Sequence, residues 1–331
     1  MIAGCSAGGA SVASHMLHAA GDFAAAYIGS PGSHQGWEGG SNVANDDFVS
    51  WSTLLANSMS FAKEFGCVGS VVKDVSTCLA KQSLSTLWQR SRHFRFAPSL
   101  RVNGSETYPL REIRLGRWSR TIPVIIGGQS CQACESARRA LGPQVLPVSE
   151  ARFERALEAN GFSSVAHSKV GPANLTGWYA SRIEHEGRWR TYARILGDSG
   201  HSCSEALHAE AISSTSLSHV WRYMFGFERS RELPGATHCS DQDWVFARKD
   251  AMTRSEAAMM RSMARWWSSL AAHLDPNAEP EVGAPEWSAY TVSSPTVMLI
   301  GGVSGDARMH LNSTSNTRRP ECEHWKPFLG W

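Results

Sequence analysis

The amino-acid sequence predicts an α/β fold. Long helical segments with an apolar face alternate along the chain with short apolar runs that resemble buried strands. This alternation is typical of a sheet that is covered by helices. With 331 residues, of which 42% are hydrophobic, the chain can bury a large core as one big domain or two ordinary ones.

Three apolar runs are predicted as interior strands. The first extends from Ile122 to Gly128, and Pro123 lies near its start, where a strand tolerates proline. The second extends from Val220 to Phe225 and the third from Thr296 to Ile300. All three are short enough to be strands of a buried sheet.

Two amphipathic helices are predicted. One begins at Thr253, where Thr253-Arg-Ser-Glu256 forms a capping box, and it ends before Asp275-Pro276. Its Met and Trp stripe indicates core packing rather than a ligand site. The other helix extends from Ser149 to Asn160. Residues 30–50 and 163–180 are predicted as long loops, which often line functional pockets.

The clearest chemical motif lies at the start of the chain. Gly4-Cys5-Ser6-Ala7-Gly8 fits G-x-S-x-G, in which glycines allow a strained strand-to-helix turn that exposes the serine hydroxyl. Ser6 is therefore the candidate nucleophile. The N–H of Ala7, with the start of a helix over residues 10–17, is the candidate oxyanion donor. From these five residues alone, a flexible glycine-rich segment is an equal alternative.

More of the chain supports the motif. The segments concerned are, in chain order, Ser6 to Leu17, Ala24 to Ser33, Phe96 to Gly127, Gly197-Asp198 with Cys203, Tyr223 to Phe225, Gly235 to Asp241, Trp244 to Phe246, Trp266-Trp267, Asp275 to Asn277, Trp287 to Tyr290 and Cys322 to Trp325. In that order they resemble type-B carboxylesterases, the family that includes cholinesterases and several fungal lipases. Those proteins usually carry glutamate before the serine, so Cys5 is a departure.

The resemblance implies an α/β-hydrolase fold, a carboxylic ester hydrolase that needs no cofactor, and a small-molecule or lipid ester as substrate. His238 would be the base, Asp241 would orient its loop, and His201 lies in no matching motif. The position at which the family carries its acid holds Gln132, which cannot stabilise an imidazolium by charge. Glu135, three residues further, is the candidate acid if the loop is remodelled.

The resemblance also implies two of the disulfides, Cys67–Cys78 and Cys203–Cys322. Four other cysteines remain, and two of them form the C-x-x-C spacing of Cys131 and Cys134. No second C-x-x-C or paired histidine motif accompanies it, so we expect no metal site.

Eight cysteines and three N-glycosylation sequons, at Asn103, Asn174 and Asn312, favour a secreted, extracellular glycoprotein. A net charge of +2 gives no reason to expect a nucleic-acid partner. No stretch reaches the roughly 20 apolar residues of a membrane span, so no transmembrane segment is expected.

The position of the G-x-S-x-G motif leads to a further expectation. In the family, a glycine-rich oxyanion loop and several strands precede it, whereas here it begins at residue 4. We therefore expect residues 1–331 to be the C-terminal portion of a single N-terminally truncated domain, with an incomplete central sheet and impaired activity. The alternatives are a non-catalytic binding or adhesion module and an inactive gene fragment.

Overall fold

The structure, a computed structural model, describes residues 1–18, 21–32, 51–69, 71–92, 94, 101–102, 105–106, 109–160, 162, 175–229, 232–248, 250, 253–302, 305–313 and 320–329. The strands are β1 (Ile2–Cys5), β2 (Ala26–Gly29), β3 (Arg101–Val102), β4 (Ser105–Glu106), β5 (Val124–Gln129), β6 (Val220–Phe225), β7 (Thr296–Ile300) and β8 (Met309–Ser313). The helices are α1 (Ala7–His18), α2 (Trp51–Glu64), α3 (Val72–Leu79), α4 (Leu84–Ser91), α5 (Pro109–Arg114), α6 (Cys134–Leu141), α7 (Glu150–Ala159), α8 (Leu175–Trp178), α9 (Ala180–Gly197), α10 (Cys203–Thr215), α11 (Gln242–Val245), α12 (Arg254–His273) and α13 (Pro320–Trp325). A π-helical turn, Asp198–Ser202, joins α9 to α10, and a 3₁₀ turn, Lys326–Phe328, follows α13.

The predicted α/β architecture is present as one six-stranded mixed sheet in the order β1-β2-β5-β6-β7-β8. Its first five strands are parallel and β8 is antiparallel to β7. Strands β3 and β4 pair separately. Because β1, β2, β5 and β6 run in one direction, the residues that follow their carboxyl ends meet at one edge of the sheet, the usual place for a site in such folds.

The sheet is buried on both faces. Along β5, Val124 and Ile126 belong to one apolar cluster, which includes side chains of α1, α9 and α10. Ile125 belongs to the other, which includes the buried face of α12. This explains why Val124-Ile125-Ile126 of β5 is an unbroken apolar run rather than an alternating pattern.

The strand predictions are confirmed, with one shift. The second and third predicted strands are β6 and β7. The first begins at Val124 rather than Ile122, because Pro123 has no N–H to donate and contributes only its carbonyl, which accepts from the Ala26 amide at 3.0 Å.

The helix predictions are confirmed as well. At α12, the Thr253 hydroxyl accepts from the Glu256 amide at 3.1 Å and the Glu256 carboxylate accepts from the Thr253 amide at 3.0 Å. Met263, Trp267 and Leu270 are buried, as predicted for a core stripe. The helix predicted from Ser149 to Asn160 is α7, with Ser149 as its N-cap.

The predicted loop at 163–180 is partly wrong. Residues 163–174 lie outside the described residues, but α8 and the first residue of α9 fall within the predicted loop. Leu175 and Tyr179 are buried in the core. Their burial stabilises short helical turns that the local sequence pattern does not predict. Of the other predicted loop, residues 33–50 also lie outside the described residues.

Strand β1 forms one edge of the sheet in the described part of the chain. Its residues are partly exposed, whereas all four residues of β2 are buried. That further strands precede β1 stays a prediction. None of the described helices has the length and apolar character needed to cross a membrane.

Candidate active site

The structure gives Ser6 the backbone context that its motif requires. Strand β1 ends at Cys5, α1 begins at Ala7, and Ser6 lies between them with a φ of 60°, a conformation that L residues rarely adopt. The Ser6 amide donates to the carbonyl of Gly29 at 3.0 Å, and the Ser6 carbonyl accepts from the Ala10 amide at 3.0 Å. The serine is thus held in a strained turn by the adjacent strand and by the helix it starts.

Packing requires glycine at two positions around this turn, Gly4 of the motif and Gly9 just after it. A Cβ atom on Gly4 would lie 2.3 Å from the backbone carbon and oxygen of Gly8. A Cβ atom on Gly9 would lie 2.6 Å from the carbonyl oxygen of Gly29. The turn can therefore fold back on β1, and α1 can pack against β2, only without side chains at these positions.

The predicted nucleophile and base open on one cavity. Ser6 and His238 both line a space of about 460 Å³ beside the carboxyl ends of the parallel strands. Gln132, Glu135 and His201 line the same space. The structure therefore brings together the candidates for nucleophile, base and acid, although they are distributed over more than 200 positions of the chain.

The His238 ring is hydrogen-bonded to a neighbouring side chain. Its Nδ1 lies 2.7 Å from Oε1 of Gln132, and because an amide oxygen only accepts, Nδ1 carries the proton. The other ring nitrogen, Nε2, is then an acceptor. Burial lowers the pKa of His238 from its ordinary value, since the charged imidazolium is poorly solvated there.

The prediction of Glu135 as the acid does not agree with this geometry. Glu135 lies in the first turn of α6, and one of its oxygens accepts from Nε and Nη2 of Arg138 at 3.1 and 2.9 Å. Its side chain is 42% exposed. The reason is the helix itself: α6 places Glu135 three residues before Arg138, an ion-pairing distance along a helix. Gln132, rather than Glu135, is hydrogen-bonded to the imidazole.

Gln132 belongs to a buried hydrogen-bonded chain. Its Nε2 donates to the Ser30 hydroxyl at 2.8 Å. The Ser30 hydroxyl donates to Oε1 of Gln129 at 2.6 Å, and the same oxygen accepts from the backbone amide of Cys239 at 2.9 Å. Sequence reasoning missed Ser30 and Gln129, although each is at the carboxyl end of a parallel strand, β2 or β5, and that position was the available signal.

His201 also belongs to the cavity wall, although the sequence comparison gave it no role. Its ring lies over that of His238, with the ring centres 4.2 Å apart, and its backbone belongs to the π-helical turn. Burial, with the nearby His238 imidazole, lowers the pKa of His201 to about 3. His201 is therefore a neutral ring packed on the proposed base.

Asp241, three residues after His238, is fully buried. Its Oδ2 accepts hydrogen bonds from the hydroxyl groups of Tyr27, at 2.9 Å, and Tyr223. Burial raises the pKa of Asp241. These contacts tie the histidine loop to β2 and β6, consistent with the predicted orienting role of Asp241.

All eight cysteines are paired in the structure. The two implied pairs, Cys67–Cys78 and Cys203–Cys322, are at bonding distance. Two further pairs form, Cys5–Cys239 and Cys131–Cys134. Cys5–Cys239 joins the residue before Ser6 to the residue after His238, so it links the two chain segments that carry the proposed nucleophile and base.

Among the described residues, no group of three or more His, Cys, Asp or Glu side chains is arranged to hold a metal ion.

Of the predicted glycosylation sites, Asn103 and Asn174 lie outside the described residues. Asn312 lies on β8, opposite Val297 of β7. Glycosylation at all three sites stays a prediction.

Comparisons with known proteins give one finding. The model of the carboxylesterase family matches residues 1–325. A search of curated protein sequences finds no significant match.

Proposed function

The chain belongs to the carboxylesterase family, whose members are ester hydrolases of the α/β-hydrolase fold, and we propose that it hydrolyses small carboxylic esters through an acyl-enzyme on Ser6. One observation carries the proposal. A strained serine between a strand and a helix opens on the same cavity as a histidine whose proton is held on Nδ1, which leaves Nε2 to act as the base.

The proposed reaction begins when Nε2 of His238 takes the proton of the Ser6 hydroxyl while Oγ attacks the ester carbonyl carbon. The carbonyl π electrons move to oxygen, and the N–H of Ala7, at the start of α1, stabilises the oxyanion. When the intermediate collapses, the bond to the alcohol oxygen breaks and the imidazolium returns its proton to the leaving alcohol. Water then repeats the sequence on the acyl-enzyme and releases the carboxylic acid.

The amide at Gln132 sets the expected rate. It accepts a hydrogen bond from His238 and so orients the ring, but it has no charge with which to stabilise the imidazolium that forms in each step. We therefore propose an impaired hydrolase, with turnover below that of an enzyme with a carboxylate at this position.

The same amide favours a second candidate, a non-catalytic binding module. A binding site needs the cavity of about 460 Å³ but no charged partner for the histidine. The two functions differ in one measurable respect: a binding module would fold and yet show no turnover that depends on Ser6.

Hydrolysis of p-nitrophenyl acetate and butyrate by the purified, oxidised protein tests the proposal. We expect slow turnover that Ser6→Ala abolishes. Ser199→Ala is the matched control, because Ser199 lines the same cavity but its hydroxyl donates to the Leu196 carbonyl at 3.2 Å. Turnover that is equal in Ser6→Ala and the unaltered protein contradicts the proposal.

We also propose that the protein works in an oxidising, extracellular compartment. Four disulfides across the described residues support this, because such bonds persist mainly outside the cytosol. Expression in secreting eukaryotic cells, followed by peptide-N-glycosidase treatment, should lower the mass of the protein if its sequons are used. An unchanged mass would contradict the predicted glycosylation.

A further inference from the structure

A chain of four hydrogen bonds connects the backbone beyond His238 back to the His238 ring. It begins at the amide of Cys239 and passes in turn through Gln129, Ser30 and Gln132. Each heavy-atom distance is between 2.6 and 2.9 Å. Three of these members carry groups that can reverse direction, so the direction in which the chain runs determines what the imidazole can do.

The amide of Cys239 fixes the first link. A backbone N–H donates and cannot accept, so the atom of Gln129 that faces it, 2.9 Å away, must be the oxygen. If the Gln129 amide were reversed, two donors would face each other. The buried Nε2 of Gln129 has no partner in the described part of the chain, so this orientation is held by what its oxygen accepts.

Ser30 carries the direction onward. Its hydroxyl lies 2.6 Å from the Gln129 oxygen, which cannot donate, so the single hydroxyl proton is committed to that contact. The Ser30 oxygen must then accept its other hydrogen bond. The atom of Gln132 that lies 2.8 Å from it is therefore Nε2, and Oε1 is directed at His238.

A reversed Gln132 amide would have a large effect on chemistry. Its NH₂ group would face Nδ1 of His238, and the ring would have to place its proton on Nε2. That tautomer cannot take the proton of Ser6, and in a serine protease triad an asparagine in place of the aspartate lowers kcat by about 10⁴. A carboxylate avoids the problem, because both of its oxygens accept. Only an amide at this position requires a device that fixes its direction.

The surroundings leave little room for the chain to change. Ser30 is fully buried and has a φ of 40°. A Cβ atom on Gly128 would lie 2.5 Å from Nε2 of Gln132 and 3.1 Å from the Ser30 hydroxyl. The Cys5–Cys239 disulfide fixes the residue whose amide starts the chain.

We propose that Ser30 and Gln129 are positioning residues that fix the direction of the Gln132 amide, so that His238 presents Nε2 to Ser6. The inference depends on the proposed esterase function for its kinetic effect, but the tautomer itself can be observed without turnover. It assigns a function to a neutral residue at the acid position: Gln132 orients the base correctly without stabilising its charge.

A double-mutant cycle separates positioning from a general structural role. Ser30→Ala frees the Gln132 amide to reverse, and we expect kcat on p-nitrophenyl butyrate to fall about 10- to 100-fold, below the 10⁴-fold loss of a fully misplaced proton. In a Gln132→Glu background the same Ser30→Ala change should lower kcat less than threefold, since a carboxylate has no wrong direction. An equal loss in both backgrounds would overturn the inference.

Gln129→Leu provides an independent version of the test. It removes the oxygen that accepts the Ser30 hydroxyl proton. The decrease in kcat that Gln129→Leu causes should again nearly vanish when Gln132 is replaced by Glu. If Ser30→Ala fails to fold, this variant decides the matter by the same comparison.

Nitrogen-15 spectra of the histidine rings separate this inference from the proposed function. We expect the protonated nitrogen of His238 to be Nδ1 in the unaltered protein, and a share of Nε2–H tautomer in Ser30→Ala. An unaltered protein with Nε2 protonated, or no tautomer change in either variant, overturns the inference. Absence of Ser6-dependent turnover in both the unaltered protein and Gln132→Glu contradicts the esterase proposal instead.

Discussion

At the scale of single residues, the site combines an ordinary nucleophile and base with an unusual partner for the base, the side-chain amide of Gln132. Gln132 is buried and accepts from Nδ1 of His238 at 2.7 Å. A carboxylate there would stabilise the imidazolium by charge as well as orient it, whereas Gln132 only orients it. This difference should affect both kcat and the pH dependence of the reaction.

Replacing Gln132 by Glu should raise kcat at pH 8, because the imidazolium gains a charged partner, but by less than the factor of about 10⁴ that a misplaced proton costs. The base works when neutral, so activity falls as the pH drops through the pKa of His238. Burial lowers that pKa, which places the acid limb of the unaltered protein below the ordinary value of about 6.5. The carboxylate of Gln132→Glu should raise the pKa and move the limb to higher pH.

A profile of kcat/KM between pH 4.5 and 9 checks both effects. Gln132→Met, which has a similar length but only a weak acceptor and no charge, is the matched control and should lower kcat. If Gln132→Glu leaves both the plateau and the limb where they are, Gln132 is not the residue that partners the base.

Whether the sequence could predict these residues depends on how far apart in the sequence the interacting partners lie. Ser6 could be found because its motif is local, and His238 because its loop resembles that of a family. The sequence put Gln132 at the family's acid position, and in the structure Gln132 is hydrogen-bonded to His238, whereas the hydrogen bond between Ser30 and Gln129 could not be predicted from sequence. They are 99 positions apart and meet only because β2 and β5 are adjacent and parallel.

At the scale of elements, the turn between β1 and α1 depends on close backbone approach. Gly4 and Gly8 are both in the motif, yet the structure distinguishes them. A Cβ on Gly4 would overlap the backbone of Gly8 at 2.3 Å, whereas a Cβ on Gly8 would meet no atom within 4 Å. The two glycines of one motif thus serve different purposes.

Gly4→Ala should therefore lower the free energy of unfolding by about 3 kcal/mol, since backbone must move to admit the methyl group. Gly8→Ala, in the first turns of α1, should raise it by about 0.5 to 1 kcal/mol, the usual gain when a helical glycine becomes alanine. Urea unfolding followed by circular dichroism measures both. Equal effects of the two changes would mean that the overlap at Gly4 is relieved without strain.

Two disulfides bracket the site, and they should differ in their contribution to stability. Cys5–Cys239 closes a loop with a sequence separation of 234 residues, and Cys131–Cys134 one with a separation of 3. By loop entropy, their removal as Cys→Ser pairs should cost about 5 and about 2 kcal/mol respectively. Chemical unfolding of the two double variants checks the order, and a larger loss from Cys131–Cys134 would contradict the entropic account.

At the scale of the whole molecule, the α/β architecture was predictable because burial on both faces of the sheet gives apolar runs such as Val124-Ile125-Ile126 of β5. The short helix α8 was not predictable, because Leu175 is buried by tertiary contacts. The Cys5–Cys239 pairing was not predictable either, since only the folded sheet brings the end of β1 beside the histidine loop.

The interior also contains neutral histidines, which predict acid sensitivity. Burial lowers the pKa of His201 to about 3 and that of His208 to about 4. Below about pH 6.5 the unfolded chain binds protons at these rings while the folded chain does not, so stability should fall as the pH drops from about 6.5 toward 4.

His208→Asn tests the share of one ring. Asn does not titrate, and its amide can donate to the Ser204 carbonyl, which lies 2.8 Å from Nδ1 of His208. The slope of unfolding free energy against pH should decrease by up to 1.36 kcal/mol per pH unit, the contribution of one proton. Thermal unfolding between pH 7 and 4.5 gives that slope, and an unchanged slope would contradict a neutral buried His208.

The most direct test of the central claim is covalent labelling of the oxidised protein with a fluorophosphonate, followed by mass spectrometry of its peptides. The reagent phosphonylates a serine that is activated by its base and supported by oxyanion donors. We predict one phosphonyl group on Ser6, lost in Ser6→Ala and strongly reduced in His238→Ala. A folded protein that stays unlabelled, or that is labelled equally in Ser6→Ala, would contradict the claim that Ser6 and His238 form a catalytic pair.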